Sequence, residues 1–360
     1  MTIALLRFPF LVQKVIFEEI DLLAVLSIKM LSKKFDETVR VCLRHHKYHL
    51  RYVEDVSFRL ERKFSNEDGG NMLVLALLNR SLVELPCQLW RIGDQEVPVE
   101  STSNESNGTI STLTKVYCDS VSDFAMETLQ YLSRLLPKLS LTLKLKTENV
   151  ETFRKIMQSV RSVNELKEIE VGTFDGSGLG PQDELVKLIL DESRRTKNLF
   201  LYFPTSDNFV YPTSVPFSFD SVLMATAGWV SRDHFIKMFL SCKKVQLQWK
   251  NFDFEDLNAI FKAWIEGSSL EYLEFVGTSK GKTLDSILEK FPGAVPVRIA
   301  KIPFKGPQFV RFDEGKCYLI QRNNEQALVC IFKYSVILTT NFQIGNEVDE
   351  LVARIGELHF

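Results

Sequence analysis

Long apolar runs, paired cysteines and an excess of charge of either sign are all absent from this chain of 360 residues. No apolar stretch reaches the roughly 18 residues that a membrane-spanning helix needs. Arg7, Pro9, Gln13 and Lys14 interrupt the apolar start, which therefore lacks the continuous core and small-residue cleavage site of a secretory leader. A net charge of −2 gives no concentrated positive field, so neither nucleic acid nor a membrane surface is expected as a partner. The six cysteines, Cys42, Cys87, Cys118, Cys242, Cys317 and Cys330, are scattered and form no C-x-x-C pair. That usage fits a reducing intracellular compartment, cytoplasmic or nuclear. Only 17 Gly and 12 Pro stand against 45% hydrophobic residues, the composition of a folded chain with one large or two to three ordinary domains.

Signatures of catalysis are equally sparse. No nucleophile-elbow G-x-S-x-G and no catalytic-cysteine pattern occurs. Gly277-x-x-x-Gly281-Lys282-Thr283 is one residue shorter than a phosphate-cradling loop, and the missing residue changes the curvature along which backbone N–H groups wrap a phosphate. A β-to-α turn capped by Thr283 accounts for it, and a nucleotide-binding enzyme using this loop stands as the alternative. "VGTFDGSGLGPQDELVKLIL" (171 to 190) joins strand to helix through glycines spaced G-x-G-x-G. Asp183 and Glu184 there occupy the helix N-terminus that a pyrophosphate would need. His45 and His49 are four apart on an expected helix, without a further ligand at zinc spacing. No catalytic, cofactor-binding or metal-ligating residue is assigned, no cofactor is expected, and the chain reads as a non-enzyme.

The first fifty residues carry the first positive signal. Val12, Val15, Ile16 and Ile20 share one face of a helix that Pro9 can open. Asp21 can cap a second helix containing Leu22, Leu23, Val25 and Leu26, and Ser32 can begin a third containing Phe35 and Val39. Three helices this short are unstable alone. Their apolar surface must dock either on the rest of the chain or on a partner. Residues 1 to 51 hold nine Lys and Arg against five Asp and Glu, a balance that suits an acidic partner surface or simply a solvated face.

A second signal recurs through the middle. "LPKLSL", "LKEIEV", "TKNLFL", "CKKVQL" and "LEYLEF" share an apolar-x-apolar ending at Leu141, Val171, Leu201, Leu247 and Phe275, separated by 30, 30, 46 and 28 residues. Amphipathic helical patterns fill the intervals, and one strand plus one helix per repeat requires parallel strands. "LSLTLKL" and "VQLQW" alternate Leu, Val or Trp with Ser, Thr, Lys or Gln, so one strand face is covered and the other open. Helices on one side only give an irregular leucine-rich-repeat-like β/α solenoid. Lys144, Glu170, Phe200, Tyr202, Gln248, Tyr272 and Glu274 would then point outward as candidate target-binding residues, with the aromatics as anchors. A competing expectation is that "PTSDNFVYPTSVPFSFD" (204 to 220) folds over them.

Residue identity adds a resemblance. Phe8-Pro9, Val15-Ile16, Ile20 and Leu31-Ser32-Lys33-Lys34 stand where an F-box, in its divergent nematode form, has its Leu-Pro, first-helix apolars and Cys-Ser-Lys-Arg. "FDFEDLNAIFKAWIEGSSLEYLEF" (252 to 275) and "FDEGKCYLIQRNNEQALVCIFKY" (312 to 334), the latter with Asn323-Asn324 near its turn, resemble the F-box-associated type 2 domain of nematode F-box proteins. The usual Met-Asp-Pro is reduced to Ile20-Asp21, and Lys29 replaces a small residue. The resemblance implies an α/β protein: a three-helix F-box at 1–50, a connecting region with small β structure at 51–120, and a leucine-rich-repeat-like F-box-associated domain at 121–345 with a short C-terminal β element. It also implies a Skp-type adaptor as partner, and through it a cullin. The adaptor-facing residues would be Phe8, Pro9, Leu11, Val12, Val15, Ile16, Ile20, Leu22, Leu23, Leu26, Met30, Ser32 and Lys33. The expected role is that of a ubiquitin-ligase substrate receptor holding a target protein, against a non-ligase repeat scaffold whose first helices merely cap the core.

Titration of the chain with ATP or GTP is expected to show no saturable binding, and Lys282→Ala to leave the titration unchanged. Saturable binding abolished by that substitution would establish the nucleotide enzyme instead.

Overall fold

A computed structural model of the chain describes residues 7–19, 24–25, 33–43, 47–63, 70–82, 88–92, 95–106, 109–136, 138–172, 180–212, 215–277, 288, 291, 293–303, 309–312, 316–323 and 325–345. The protein is mixed α/β, with seven α-helices among the described residues. No helix there is long and apolar enough to cross a membrane. The chain divides into two compact units, Met1–Gly172 and Thr173–Phe360.

The first unit begins with α1 (Phe10–Glu19) and α2 (Lys33–Leu43). Strands β1 (Lys47–Val53), β2 (Ser57–Lys63), β3 (Gly70–Asn79), β4 (Gln88–Ile92), β5 (Gln95–Ser106) and β6 (Thr109–Cys118) follow. It ends with α3 (Val121–Leu135), β7 (Leu139–Leu145), α4 (Val150–Ser159) and β8 (Glu165–Val171). The sheet order is β8-β7-β1-β2-β3-β6-β5-β4. Residues 51–120, expected as a connecting region, therefore supply most of this sheet. The reason is register: β1 pairs in parallel with β7, seating Leu50 beside Leu141 and Tyr52 beside Leu143, so the same apolar face continues from one segment into the other.

That face is covered by helices whose ends are fixed locally. Ser120 Oγ accepts the N–H of Asp123 at the start of α3, and Asn149 Oδ1 accepts those of Glu151 and Thr152 at the start of α4. Each satisfies donors that a helix start leaves unpaired. At the far edge of the same strands, buried Glu54 takes the N–H groups of Lys146 and Thr147 at 2.5 and 2.7 Å. One carboxylate thus ties the β1–β2 turn to the loop leading into α4.

The second unit holds α5 (Asp183–Glu192), β9 (Thr196–Leu201), β10 (Ser221–Met224), α6 (Arg232–Met238), β11 (Lys244–Leu247), α7 (Phe254–Glu266) and β12 (Tyr272–Val276). Strands β13 (Val295–Pro296), β14 (Ala300–Pro303), β15 (Phe309–Phe312), β16 (Cys317–Arg322), β17 (Glu325–Phe332), β18 (Ser335–Thr339) and β19 (Gln343–Ile344) complete it. Strands β9 to β12 are parallel, as the strand–helix spacing requires. β12 then pairs antiparallel with β18, continuing through β17 and β16 to β13. Both hairpin loops between β16, β17 and β18 have two residues and begin in the left-handed region, at Asn323 (φ 53°) and Lys333 (φ 53°). Asn suits that conformation because its side chain compensates the steric cost locally.

One face of the parallel strands presents Leu199, Leu201, Val222, Met224, Val245, Leu247, Leu273 and Phe275, all buried. Phe235 of α6 packs edge-on against Phe275 at 5.2 Å, and Phe252 against the same ring at 4.7 Å. The described residues of 204–220 pack on this helical side: Tyr211 donates to Asp191 of α5 at 2.7 Å, and Phe217 contacts Phe239. They do not lie over the opposite face.

Something else does. The small antiparallel sheet β15-β14-β19 places Ala300, Ile302 and Phe312 in one buried cluster with Cys317, Leu328, Cys330 and Ile337. These last four share the face of Tyr272 and Glu274 by register. The expectation of a wholly open sheet face is corrected: β16 to β18 carry apolar residues on both faces, so both must be covered, while β9 to β12 keep an alternation of buried and less buried residues.

Helix α7 is bounded by a reciprocal cap, Asp253 accepting from the Asp256 N–H at 2.8 Å while Asp256 accepts from that of Asp253. Asp253→Ala is expected to destabilise the second unit by about 1 kcal/mol, read as a lower urea midpoint with unchanged slope. Asp253→Ser should recover most of the loss.

Candidate functional site

Two surfaces gather the sequence-nominated residues. The first is α1. The Pro9 carbonyl accepts the N–H groups of Val12 and Gln13 at 2.9 and 3.1 Å, opening the helix, and the Gln13 side chain donates back to the Phe8 carbonyl at 2.6 Å. Phe17 is fully buried and Gln13 nearly so. Arg62, itself buried, donates from Nη1 to the Phe17 carbonyl at 3.0 Å. One side of the helix is thereby fastened to the chain's own β2.

The other side is bare. Leu11 is 72% exposed and Val15 56%, with Phe8, Phe10 and Val12 also exposed, Pro9 solvent-facing and Ile16 half-buried. Leu11, Val12 and Val15, with Phe8 just before the helix, form a patch of a kind that marks a partner interface, while Phe10, seven positions before Phe17, is exposed at the end of the fastened side. Lys33 begins α2, without a described side chain. Ile20, Leu22, Leu23, Leu26, Met30 and Ser32 lie outside the described residues, as do His45, His46 and Gly281 to Thr283.

The second surface comprises the half-buried face of the strands. In the first unit, Lys144 of β7 and Glu170 of β8 stand in direct register and form an ion pair. Both are half-buried and satisfy one another, which lowers what either could offer a target. His49 shares a hydrogen bond of 3.0 Å with Ser140 Oγ.

In the second unit, Phe200 of β9 is half-buried beside Leu223, and Tyr202 lies just beyond the strand end, also half-buried. Gln248 sits past the end of β11, where its backbone N–H donates to the Met224 carbonyl at 2.8 Å. Trp249, expected on the covered face with Val245 and Leu247, is 80% exposed. Its φ of 55° turns the chain out of the strand, so the alternation ends at Leu247.

Tyr272 and Glu274 do come together. Glu274 Oε2 accepts from Tyr272 Oη at 2.9 Å and from Gln246 Nε2 at 2.7 Å, while Oε1 accepts from Ser335 Oγ at 3.0 Å. Gln246 and Ser335 were missed at the sequence level. Gln246 was within reach, because it shares the face of Gln248 and stands in register with Glu274; Ser335 arrives only through the antiparallel return of β18. Burial first, then the charge and hydrogen bond of Glu274, push the Tyr272 phenol far above the usual tyrosine range. Tyr272 also lines a cavity of ≈ 450 Å³ with Ser221, Lys244, Gln246, Glu271 and Ile302, between the parallel strand starts and β14. It offers hydroxyl, amide and opposite-charge groups around an apolar wall, a lining that suits a peptide segment.

Among the described residues no group of three or more His, Cys, Asp or Glu could hold a metal ion. No family model matches the chain, and no curated protein matches it.

A phenol held protonated in the native state is linked to stability with a definite sign. Its contribution is complete below the ordinary tyrosine range and is lost as pH rises through the folded-state value, because the unfolded chain releases the proton first. Wild type is therefore expected to lose stability more steeply than Tyr272→Phe above the ordinary tyrosine range, measured by urea unfolding across an alkaline pH series. Parallel curves would remove the Tyr272–Glu274 coupling.

Proposed function

We propose that this chain is the substrate-receptor subunit of a cullin-RING ubiquitin ligase, resembling the F-box proteins with a type 2 associated domain. Its N-terminal helices dock on a Skp-type adaptor, and the half-buried strand face and Tyr272 cavity of the second unit hold a target protein. The observation that carries the reading is the division of α1 into a fastened side, at Gln13 and Phe17, and a bare apolar side, at Leu11, Val12 and Val15 with Phe8 just before the helix. Such a helix loses free energy to water at those side chains and regains it against an apolar groove. The irregular leucine-rich-repeat-like solenoid and the three-helix F-box belong to this proposal. Parallel β7–β8 in one unit and parallel β9 to β12 in the other support the repeat reading.

Catalysis in this scheme is by proximity. Binding raises the effective concentration of the target's lysines near a ubiquitin-charged enzyme, and the chain itself does no chemistry. A non-ligase scaffold is favoured by one observation, the Arg62 bond that fastens α1 to its own chain.

Purified chain is expected to capture a Skp-type adaptor, and Leu11→Asp with Val15→Asp to weaken capture more than tenfold while leaving the thermal midpoint within about 2 °C, since both sites are exposed. Failure of both forms to capture it would favour the scaffold.

A further inference from the structure

The buried cluster between β14 and the β16–β18 hairpins contains two thiols that the proposed receptor role does not use. Cys317 of β16 and Cys330 of β17 are directly opposite in the antiparallel register, both fully buried, and neither is in a disulfide. The hydrogen-bonding pattern identifies the kind of pair they form. The Ile331 N–H donates to the Lys316 carbonyl at 3.3 Å, one position along the ladder. The Cys317 carbonyl instead accepts from Val297, on the opposite side of β16, at 3.0 Å. Lys316 and Ile331 are therefore a hydrogen-bonded pair, and Cys317 and Cys330 a non-hydrogen-bonded one. In such pairs the Cα atoms stand about 4.5 Å apart and the side chains approach most closely. A disulfide spans Cα separations of about 4.4–6.8 Å.

The surroundings favour the same conclusion. Val297, Ala300, Ile302, Phe312, Leu328 and Ile337 enclose the pair. Cys317 Sγ donates to the Val297 carbonyl at 3.4 Å on the β13 side of the strand, so the side chain must rotate about χ1 to reach Cys330. Burial first, then the nearby Cys317 and Glu274, raise the Cys330 thiol well above its ordinary range. Cys42 and Cys118 are buried on α2 and β6, Cys242 is buried in the segment between α6 and β11, and none of the three stands opposite a cysteine in the strand registers of the described residues.

We propose that Cys317 and Cys330 are an oxidation site that closes to an intramolecular disulfide across β16 and β17. With a peroxide as oxidant, one thiolate attacks a peroxide oxygen, the O–O bond breaks, and a sulfenic acid forms with release of hydroxide. The second thiol, as thiolate, then attacks that sulfur. An S–S bond forms, the S–O bond breaks, and water leaves; two thiols and one peroxide give one disulfide and two waters. Full burial makes local opening of the hairpin the slow step. The closed form braces the floor on which β14 sits, and β14 supplies Ile302 to the Tyr272 cavity. This site is independent of the adaptor reading.

The full chain is to be treated with hydrogen peroxide, unfolded in the presence of an alkylating agent, digested and mapped by mass spectrometry. The expected result is a cross-linked peptide pair 2 Da lighter than the sum of the reduced peptides and containing Cys317 and Cys330, with the remaining cysteines alkylated. The oxidised chain should melt about 3 °C or more above the reduced one, and Cys330→Ala should abolish both effects. Full alkylation of Cys317 and Cys330, over-oxidation of either without a bridge, or a bridge to another cysteine would overturn the proposal. Should the variant not fold, the wild-type peptide map alone decides.

Discussion

The contact on which the second unit depends is the packing of the alternate side chains of β9 to β12 against the helical layer. Leu199, Val222, Val245 and Leu273 lie side by side across four parallel strands, and Leu201, Met224, Leu247 and Phe275 form a second row. Each row removes apolar surface from water only if the strands stay in register, because a slip by one residue would send every one of them to the other face. Phe235, Phe239 and Phe252 complete the packing with rings 4.7 to 6.3 Å apart. Once this face is committed, Gln246, Tyr272 and Glu274 are left on the reverse side, and their hydrogen bonds follow from the register.

The antiparallel return of the chain changes what that reverse side can be. β18 sets Ile337 beside Glu274 and Thr339 beside Tyr272, and β17 adds Leu328 and Cys330. A polar row thus runs into an apolar one within two strands. The small sheet covers the apolar part, and the cavity at Tyr272 marks where the cover ends. In the proposed receptor role, a half-roofed sheet of this kind favours an extended segment over a small substrate, since its walls come from separate sheets.

In the first unit, α1 meets two demands with one short helix. Phe17 and Gln13 hold it to the sheet, while Leu11 and Val15 lie in water at a cost that a monomer gains nothing by bearing. The helix has apolar residues around most of its circumference, so no choice of rotation could bury all of them on a single surface. The proposed adaptor would cover the remainder.

From the sequence alone came the mixed α/β class, the parallel strand spacing, the Asn149, Ser231 and Asp253 helix starts, and the Asn323 turn, because each rests on interactions between residues close together in the chain. The alternation in "LSLTLKL" likewise named most of the faces of β7, with Leu141 and Leu143 buried and Ser140 and Lys144 half-buried, but Thr142, expected on the open face, is buried. What lay out of reach was set by long-range pairing. The parallel match of β1 with β7 joined residues 51–120 to the repeat sheet, a left-handed turn lifted Trp249 off its strand, and the cover over β16 to β18 came from β14. Ser335 reached Glu274, and Cys330 reached Cys317, through antiparallel returns. Periodicity reports which side of an element is apolar; which other element meets that side depends on closing loops between distant segments, and only the tertiary structure decided it.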